Sequence, residues 1–127
     1  MNHLFRELAP ITESAWEQIE EEADRSLRHF LAARKLLSLS GPHGWKHSTL
    51  DLGSTVDLDV PPAEGAEAAM RQFLPLIEVR TPFTLSRRDL AAADRGHDID
   101  TEPVVDAART AAAAEDGAIF HGYEAGM

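Results

Sequence analysis

Apolar residues recur every three or four positions between Thr12 and Leu37, which predicts one long amphipathic helix. Thr12 carries the hydroxyl that an N-cap needs, and Ile11 and Trp16 have the spacing of a hydrophobic staple. Acidic residues fill the first half of the segment and basic residues the second, an order that complements the helix dipole. The apolar stripe consists of Trp16, Ile19, Ala23, Leu27, Phe30, Leu31 and Leu37.

After a Ser-Gly-Pro turn the pattern changes to alternation, which predicts β-strands. Leu50–Val60 alternates as a half-exposed strand does, and two prolines follow it. Ile77–Leu85 alternates in the same way, with Pro82 indicating an edge or a bulge. Residues 63–73 are then a weakly structured connection, with room for a short helical turn. The two strands form a long hairpin, which needs another surface to lie on.

Two further helices are predicted after the strands. Ser86 is placed to cap a short helix over Arg87–Arg95, which Gly96 ends. A long helix follows over Glu102–Tyr123, with Pro103 tolerated in its first turn and an alanine run in its middle. The order is helix, strand, strand, short helix and long helix. This is an α+β fold with too few strands to close a sheet.

The charge and the residue content exclude several classes of function. The net charge is −10, from 22 acidic and 12 basic residues, so the chain repels nucleic acid. The absence of cysteine excludes disulfides and thiolate zinc sites. The first ten residues lack a signal-peptide core, and no run approaches the length of a membrane span. A cytoplasmic protein without a membrane partner is expected.

The apolar content favours a modest core. Hydrophobic residues make up 43% of the chain, but 20 of them are alanines. An extended element that packs on another subunit fits this composition, and so does a core that is simply small.

The sequence offers no convincing metal site. His43 and His47 have metalloprotease spacing, but no glutamate lies between them, and Pro42 and Gly44 disfavour a helix there. We interpret them as exposed loop histidines. The loop His97–Asp100 carries only two carboxylates, which is weak evidence for a bound cation.

No catalytic residue can be assigned. Glu115 and Asp116 are adjacent on a helix, so their carboxylates point about 100° apart and form no facing pair. A solvated or salt-bridged face is the favoured interpretation. The chain has neither a Gly-rich phosphate loop nor a Gly-x-Ser-x-Gly elbow. A non-catalytic protein is therefore predicted, with an enzyme kept only as a remote alternative.

Arg34 lies in the same angular sector of the predicted helix as the apolar stripe. A guanidinium among apolar side chains needs a partner. The favoured interpretation is that Arg34 either forms an intramolecular salt bridge or extends its apolar stem until the charged group reaches water. It can also be a recognition point in a groove that receives a peptide.

Several motifs together resemble the encapsulins, which are bacterial and archaeal nanocompartment shell proteins of the linocin-type bacteriocin family. The resemblance covers essentially the whole chain in the same order and with similar spacing. The matching stretches are Arg6–Thr12, Ala33–Lys35, Ser40–Trp45, Pro75–Ser86, Asp94–Gly96 and Ala114–Tyr123.

The resemblance implies the fold of tailed-phage major capsid proteins, present here in its N-terminal part. Residues 1–39 would be an N-terminal arm and a helix that lines the shell interior. Residues 40–85 would be the extended-loop β-hairpin, and residues 86–127 the short helix and the spine helix of the peripheral domain. Family subunits are roughly twice as long, so the pore-forming axial domain and the closing strands would be missing.

The resemblance also implies partners. Copies of the subunit would form an icosahedral shell, a virus-like particle, with the hairpin contacting a neighbour through Leu52, Val56, Leu58, Ile77 and Val79. The shell would enclose a dye-decolourising peroxidase or a ferritin-like protein, held by the cargo's C-terminal peptide. The tentative peptide-binding residues are Leu27, Phe30, Leu31 and Arg34.

Two departures from the family pattern bear on function. Some relatives bind flavin beside a tryptophan in the short helix, where this chain has Arg87 and Arg88, so no flavin or other cofactor is expected. Part of the cargo groove in the family comes from the missing portion. The leading hypothesis is a self-assembling shell subunit; the alternative is a truncated interaction or oligomerisation module that forms no closed shell.

Overall fold

The computed structural model describes Ala9 and residues 11–126, and it has an α+β architecture. Apart from Ala9, the predicted arm before Ile11 lies outside the described residues. By contacts, the segment Leu39–Glu78 forms one compact unit, and the chain before and after it forms another. The elements are α1 (Glu13–Phe30), α2 (Ala33–Leu36), β1 (Thr49–Asp57), β2 (Ala69–Pro75), α3 (Arg87–Asp94), α4 (Glu102–His121) and a short 3₁₀ helix (Glu124–Gly126).

The helical unit is built around α1, which packs against α3 and α4. Thr12 caps α1 as the sequence predicts, because its side-chain oxygen accepts a hydrogen bond from the Ala15 N–H at 3.4 Å. One face of α1 then enters the core, whereas its acidic residues other than Glu22 are exposed. The buried core cluster consists of Ala15, Ile19, Ala93, Ile99 and Val104.

The prediction of one continuous helix over Thr12–Leu37 is wrong. α1 ends at Phe30, and Leu31 has an extended backbone with ψ 122° before the chain enters the single turn of α2. The stripe alone cannot reveal this break, because Phe30 before it and Leu37 after it are seven positions apart, which is helical spacing. Arg34 therefore does not continue the stripe of α1.

The later helices follow the prediction closely. Ser86 caps α3 by accepting from the Asp89 N–H at 3.1 Å, and Gly96 lies just beyond it with φ +82°. α4 spans Glu102–His121 with a proline in its first turn. Its buried face, formed by Val104, Ala108 and Ala112, packs on α1.

The second strand lies elsewhere than predicted. β2 is Ala69–Pro75, so it falls largely within the segment predicted to be a weakly structured connection, and no part of residues 76–86 is in a strand. The hairpin turns sooner, with the Leu58 N–H donating to the Ala68 carbonyl at 2.9 Å. Pro75 ends β2, and Pro82, predicted at an edge or a bulge, lies outside the sheet.

The two strands form an antiparallel sheet with an irregular register. Thr49 pairs with Pro75 and Asp57 with Ala69, and the register shifts between Asp51 and Thr55. β1 was predicted to be half exposed, but Thr49 is its one residue that is even partly buried, and all of β2 is exposed. With no buried face, the alternation of apolar side chains does not fix which segments pair.

Candidate functional site

The hairpin presents apolar side chains that nothing within its own unit buries. Leu52 and Val56 lie on β1 and are 48% and 51% exposed, and Leu58 lies just after β1 at 45%. We define the hairpin surface as these three residues with Met70, Phe73 and Leu74 of β2, which are also exposed. A two-stranded sheet without a buried face is at best marginally stable alone.

Ile77 and Val79 do not belong to this surface. Both are exposed, but they follow β2 and lie outside the sheet, so the prediction that they belong to the second strand is wrong, whereas their contact with a neighbouring subunit stays a prediction. The β2 residues were missed because Ala69–Pro75 mixes apolar and polar side chains without strict alternation. Exposed apolar residues on a strand with free edges are the features by which sheets pair with other chains.

The second site is the junction between α1 and α2. Leu27 and Phe30 lie in the last turn of α1, Leu31 lies between the two helices, and Arg34 lies on α2. All four predicted peptide-binding residues therefore lie along this junction. The three apolar side chains are partly buried, and Arg34 is exposed.

Two adjacent carboxylates on α4 hold this junction. Asp116 accepts hydrogen bonds from the backbone N–H groups of Ala32 and Ala33, both at 3.0 Å. These are among the donors that a new helix leaves without an intrahelical partner, so a side chain distant in sequence caps α2. Ala32 makes no such cap with its own side chain.

Glu115 binds the guanidinium of Arg34 through two hydrogen bonds. Its Oε2 accepts from Nε at 2.9 Å and its Oε1 from Nη2 at 2.8 Å. This two-point contact raises the pKa of Arg34, so the side chain stays charged. The favoured interpretations of Arg34 as an intramolecular salt bridge and of Glu115-Asp116 as a salt-bridged face are confirmed.

A third contact reaches the junction from α4. The guanidinium carbon of Arg109 lies 5.0 Å from the centroid of the Phe30 ring, and the ring of His29 meets the same aromatic edge-on at 4.9 Å. We call Arg109, Glu115 and Asp116 the α4 clamp. Arg109 contacts the end of α1, Asp116 binds the backbone at the start of α2, and Glu115 binds Arg34 on α2.

The remaining candidate residues form no chemical centre within the described residues. His43 and His47 are exposed, as predicted, with ring centroids 4.6 Å apart, and Ser40 Oγ lies 2.7 Å from His43 Nε2. No group of three potential metal ligands occurs in the described part of the chain. Nor does any helix there combine the length and hydropathy needed to cross a membrane.

The whole chain, residues 1–127, matches the model of a family described as "encapsulating protein for peroxidase". The chain belongs to the encapsulin family. It is 48% identical over 132 residues to the type 1 encapsulin shell protein of Rhodospirillum rubrum, and 45% and 43% identical over 126 residues to those of Rhodococcus erythropolis and Brevibacterium linens. These alignments cover 98–99% of the chain but only 47% of each relative, so it spans about half their length.

Membership settles several of the predictions. The resemblance to encapsulins is confirmed, and the α+β class agrees with the structure. A structural rather than a catalytic role is confirmed at the level of the family, whose relatives are named shell proteins. The hairpin surface and the α4 clamp are thus features of an encapsulin-family chain.

Proposed function

We propose that this chain forms part of the subunit of a self-assembling cytoplasmic nanocompartment with the capsid fold of tailed phages. The observation that carries the proposal is the hairpin, whose strands have no buried face. Exposure of its apolar side chains to water is unfavourable, and burial against a second copy supplies the support that an isolated hairpin lacks. The relatives are named shell proteins, which agrees with this role.

The hairpin surface is the proposed contact between copies. Leu52, Val56 and Leu58 supply it from the β1 side, as the sequence predicted, and Met70, Phe73 and Leu74 replace Ile77 and Val79 on the other side. Contacts of this kind join backbone edges by hydrogen bonds and fill pockets with alternate side chains. Mechanistically, the function is burial of surface between copies, without a chemical step.

We also propose that the assembled shell encloses a peroxidase or a ferritin-like protein, held through its C-terminal peptide. The description of the family names a peroxidase. Leu27, Phe30 and Leu31 offer a partly buried apolar strip, and the exposed guanidinium of Arg34 lies at its end. An apolar peptide matches the strip, and a hydrogen-bond acceptor on that peptide matches the N–H groups of Arg34 beyond the two that Glu115 binds.

Electron microscopy with size-exclusion light scattering tests the shell. Closed particles of uniform diameter support it, and a monomer or a dimer contradicts it. Val56→Asp should reduce particle formation, because it puts a charge into the proposed contact. Thr110→Asp, an exposed change on α4, is the control that should leave assembly unchanged.

A charge exchange tests the role of Arg34 in cargo binding. Arg34→Glu should weaken co-purification of a peroxidase carrying its C-terminal peptide, without preventing assembly. The change also places a third carboxylate beside Glu115 and Asp116. Arg34→Glu combined with Glu115→Arg restores the ion pair with its charges reversed. We expect the double variant to recover stability but not cargo capture.

Two outcomes contradict a direct role. Unchanged co-purification in Arg34→Glu would show that the charge is not used. Full recovery of capture in the double variant would show that Arg34 acts only by holding the junction.

A stand-alone interaction module is the second candidate. The observation that favours it is the hairpin surface, whose exposed apolar side chains a single further copy is enough to cover. In that case the same hairpin surface would join a few copies without closing a shell. Small oligomers of defined mass, without particles, would favour this candidate.

A further inference from the structure

The loop before β1 brings two imidazole rings together. The ring centroids of His43 and His47 lie 4.6 Å apart, and the ring planes are 35° from parallel. A turn and not a helix produces this approach, with the His47 N–H donating to the Gly44 carbonyl at 3.3 Å. Both side chains are exposed, so ions in solution can reach the rings.

Two neighbouring residues hold the His43 ring. Ser40 Oγ lies 2.7 Å from its Nε2, which is hydrogen-bond distance. Gly41 lies against the same side of the ring, where a Cβ would come within 3.3 Å of Cδ2 and 3.6 Å of Nε2. Gly41 also has φ +119°, a conformation that residues with side chains rarely adopt. Glycine therefore leaves room for the ring, and the serine hydroxyl fixes one of its nitrogens.

Two imidazoles at this separation suit a single transition-metal ion. Zn²⁺ binds an imidazole nitrogen at about 2.0–2.1 Å, so two rings on one ion have centroids about 4.5 to 5.2 Å apart at bond angles of about 90° to 109°. The 4.6 Å between His43 and His47 falls in that range. A histidine that binds a metal usually donates the N–H of its other nitrogen to an oxygen. Ser40 Oγ is placed to accept from Nε2 of His43, which leaves the lone pair on Nδ1 for the ion.

We propose that His43 and His47 together bind one exchangeable divalent transition-metal ion, with Ser40 positioning the His43 ring. Imidazole nitrogen favours ions such as Zn²⁺ and Cu²⁺ over Mg²⁺ and Ca²⁺, which prefer oxygen ligands. No group of three potential ligands occurs in the part of the chain that the structure describes, so water fills the other coordination positions. Two protein ligands make a reversibly occupied site and not a structural or catalytic metal centre.

Calorimetric titration of the 127-residue chain with zinc chloride tests the proposal. Mg²⁺ is present in large excess, because a chain with a net charge of −10 also attracts cations through its carboxylates. We expect one Zn²⁺ per chain that Mg²⁺ does not displace. His43→Ala and His47→Ala should each weaken this binding by more than about tenfold, since a lost ligand costs more than a lost positioning partner. His121→Ala, which removes an exposed histidine at the end of α4, is the control and should change nothing.

Variants beside His43 test how its ring is held. Ser40→Ala should weaken Zn²⁺ binding about tenfold, and Ser40→Thr, which keeps a hydroxyl, should restore most of it. Gly41→Ala should also weaken binding, because its Cβ would crowd the ring. In the unaltered chain, NMR of the imidazole nitrogens gives a second readout, in which Zn²⁺ should shift Nδ1 of His43 more than Nε2.

Three results would overturn the proposal. Mg²⁺ could abolish the binding of Zn²⁺, which would assign it to surface carboxylates. Binding could survive unchanged in either His43→Ala or His47→Ala, which would show that the ion does not need both rings. The imidazole signals of both histidines could stay in place when Zn²⁺ is added. Equal affinities of Ser40→Ala and the parent would overturn the positioning role of Ser40.

Discussion

At the residue scale, the junction between α1 and α2 depends on Asp116. Its carboxylate accepts from two consecutive backbone N–H groups, those of Ala32 and Ala33. Thr12 and Ser86 could be predicted as caps because each bonds to an N–H three residues away. Asp116 could not, because it lies 83 and 84 positions from the groups that it caps, and nothing local connects them.

Asp116→Ala should destabilise the helical unit by about 1 to 2 kcal/mol, because it removes a helix cap and leaves two N–H groups without their acceptor. Chemical denaturation measures the change, and hydrogen exchange should accelerate at Ala32 and Ala33. The control is Asp106→Ala on the same helix, whose side chain bonds the exposed Arg109. It should change stability by less than about 0.5 kcal/mol. Equal effects of the two variants would contradict the capping role.

At the element scale, the side chain of Gln18 joins α1 to the loop before α4. The Ile99 N–H donates to Gln18 Oε1 at 2.8 Å, and Gln18 Nε2 donates to the His97 carbonyl at 3.4 Å. Ile99 belongs to the core cluster, so these bonds hold a core residue in place.

Gln18→Ala should lower the free energy of unfolding by about 1 to 2 kcal/mol, because a partly buried N–H loses its acceptor. Gln18→Glu keeps an acceptor for the Ile99 N–H and loses only the longer bond, so its effect should be smaller. Thermal and chemical unfolding of the parent and the two variants measures which variant loses more stability. Two variants that are both as stable as the parent would contradict the role of Gln18.

The sequence predicts the helices better than the sheet for a physical reason. α3 has a local cap, α4 has a proline in its first turn, and both have apolar residues that meet a core, and each of these signals is visible in the sequence. β2 has no core to face, so its side chains carry no constraint that would mark it as a strand. Ile77 and Val79 are predicted in a strand because apolar and polar residues alternate around them, although this segment is not part of the sheet.

At the scale of the whole molecule, the chain combines a helical unit that has its own core with a hairpin that has none. The helical unit accounts for its own stability through α1, α3 and α4. We propose that the hairpin is the contact between copies, because burial against another chain would cover its apolar side chains.

The mass of the chain in solution, measured by light scattering after size exclusion, tests this account most directly. We predict a mass that is a large multiple of the 13.9 kDa of one chain, and a fall in that mass when Val56→Asp is introduced. A mass of one chain at every concentration, with Val56→Asp indistinguishable from the parent, would contradict assembly through the hairpin.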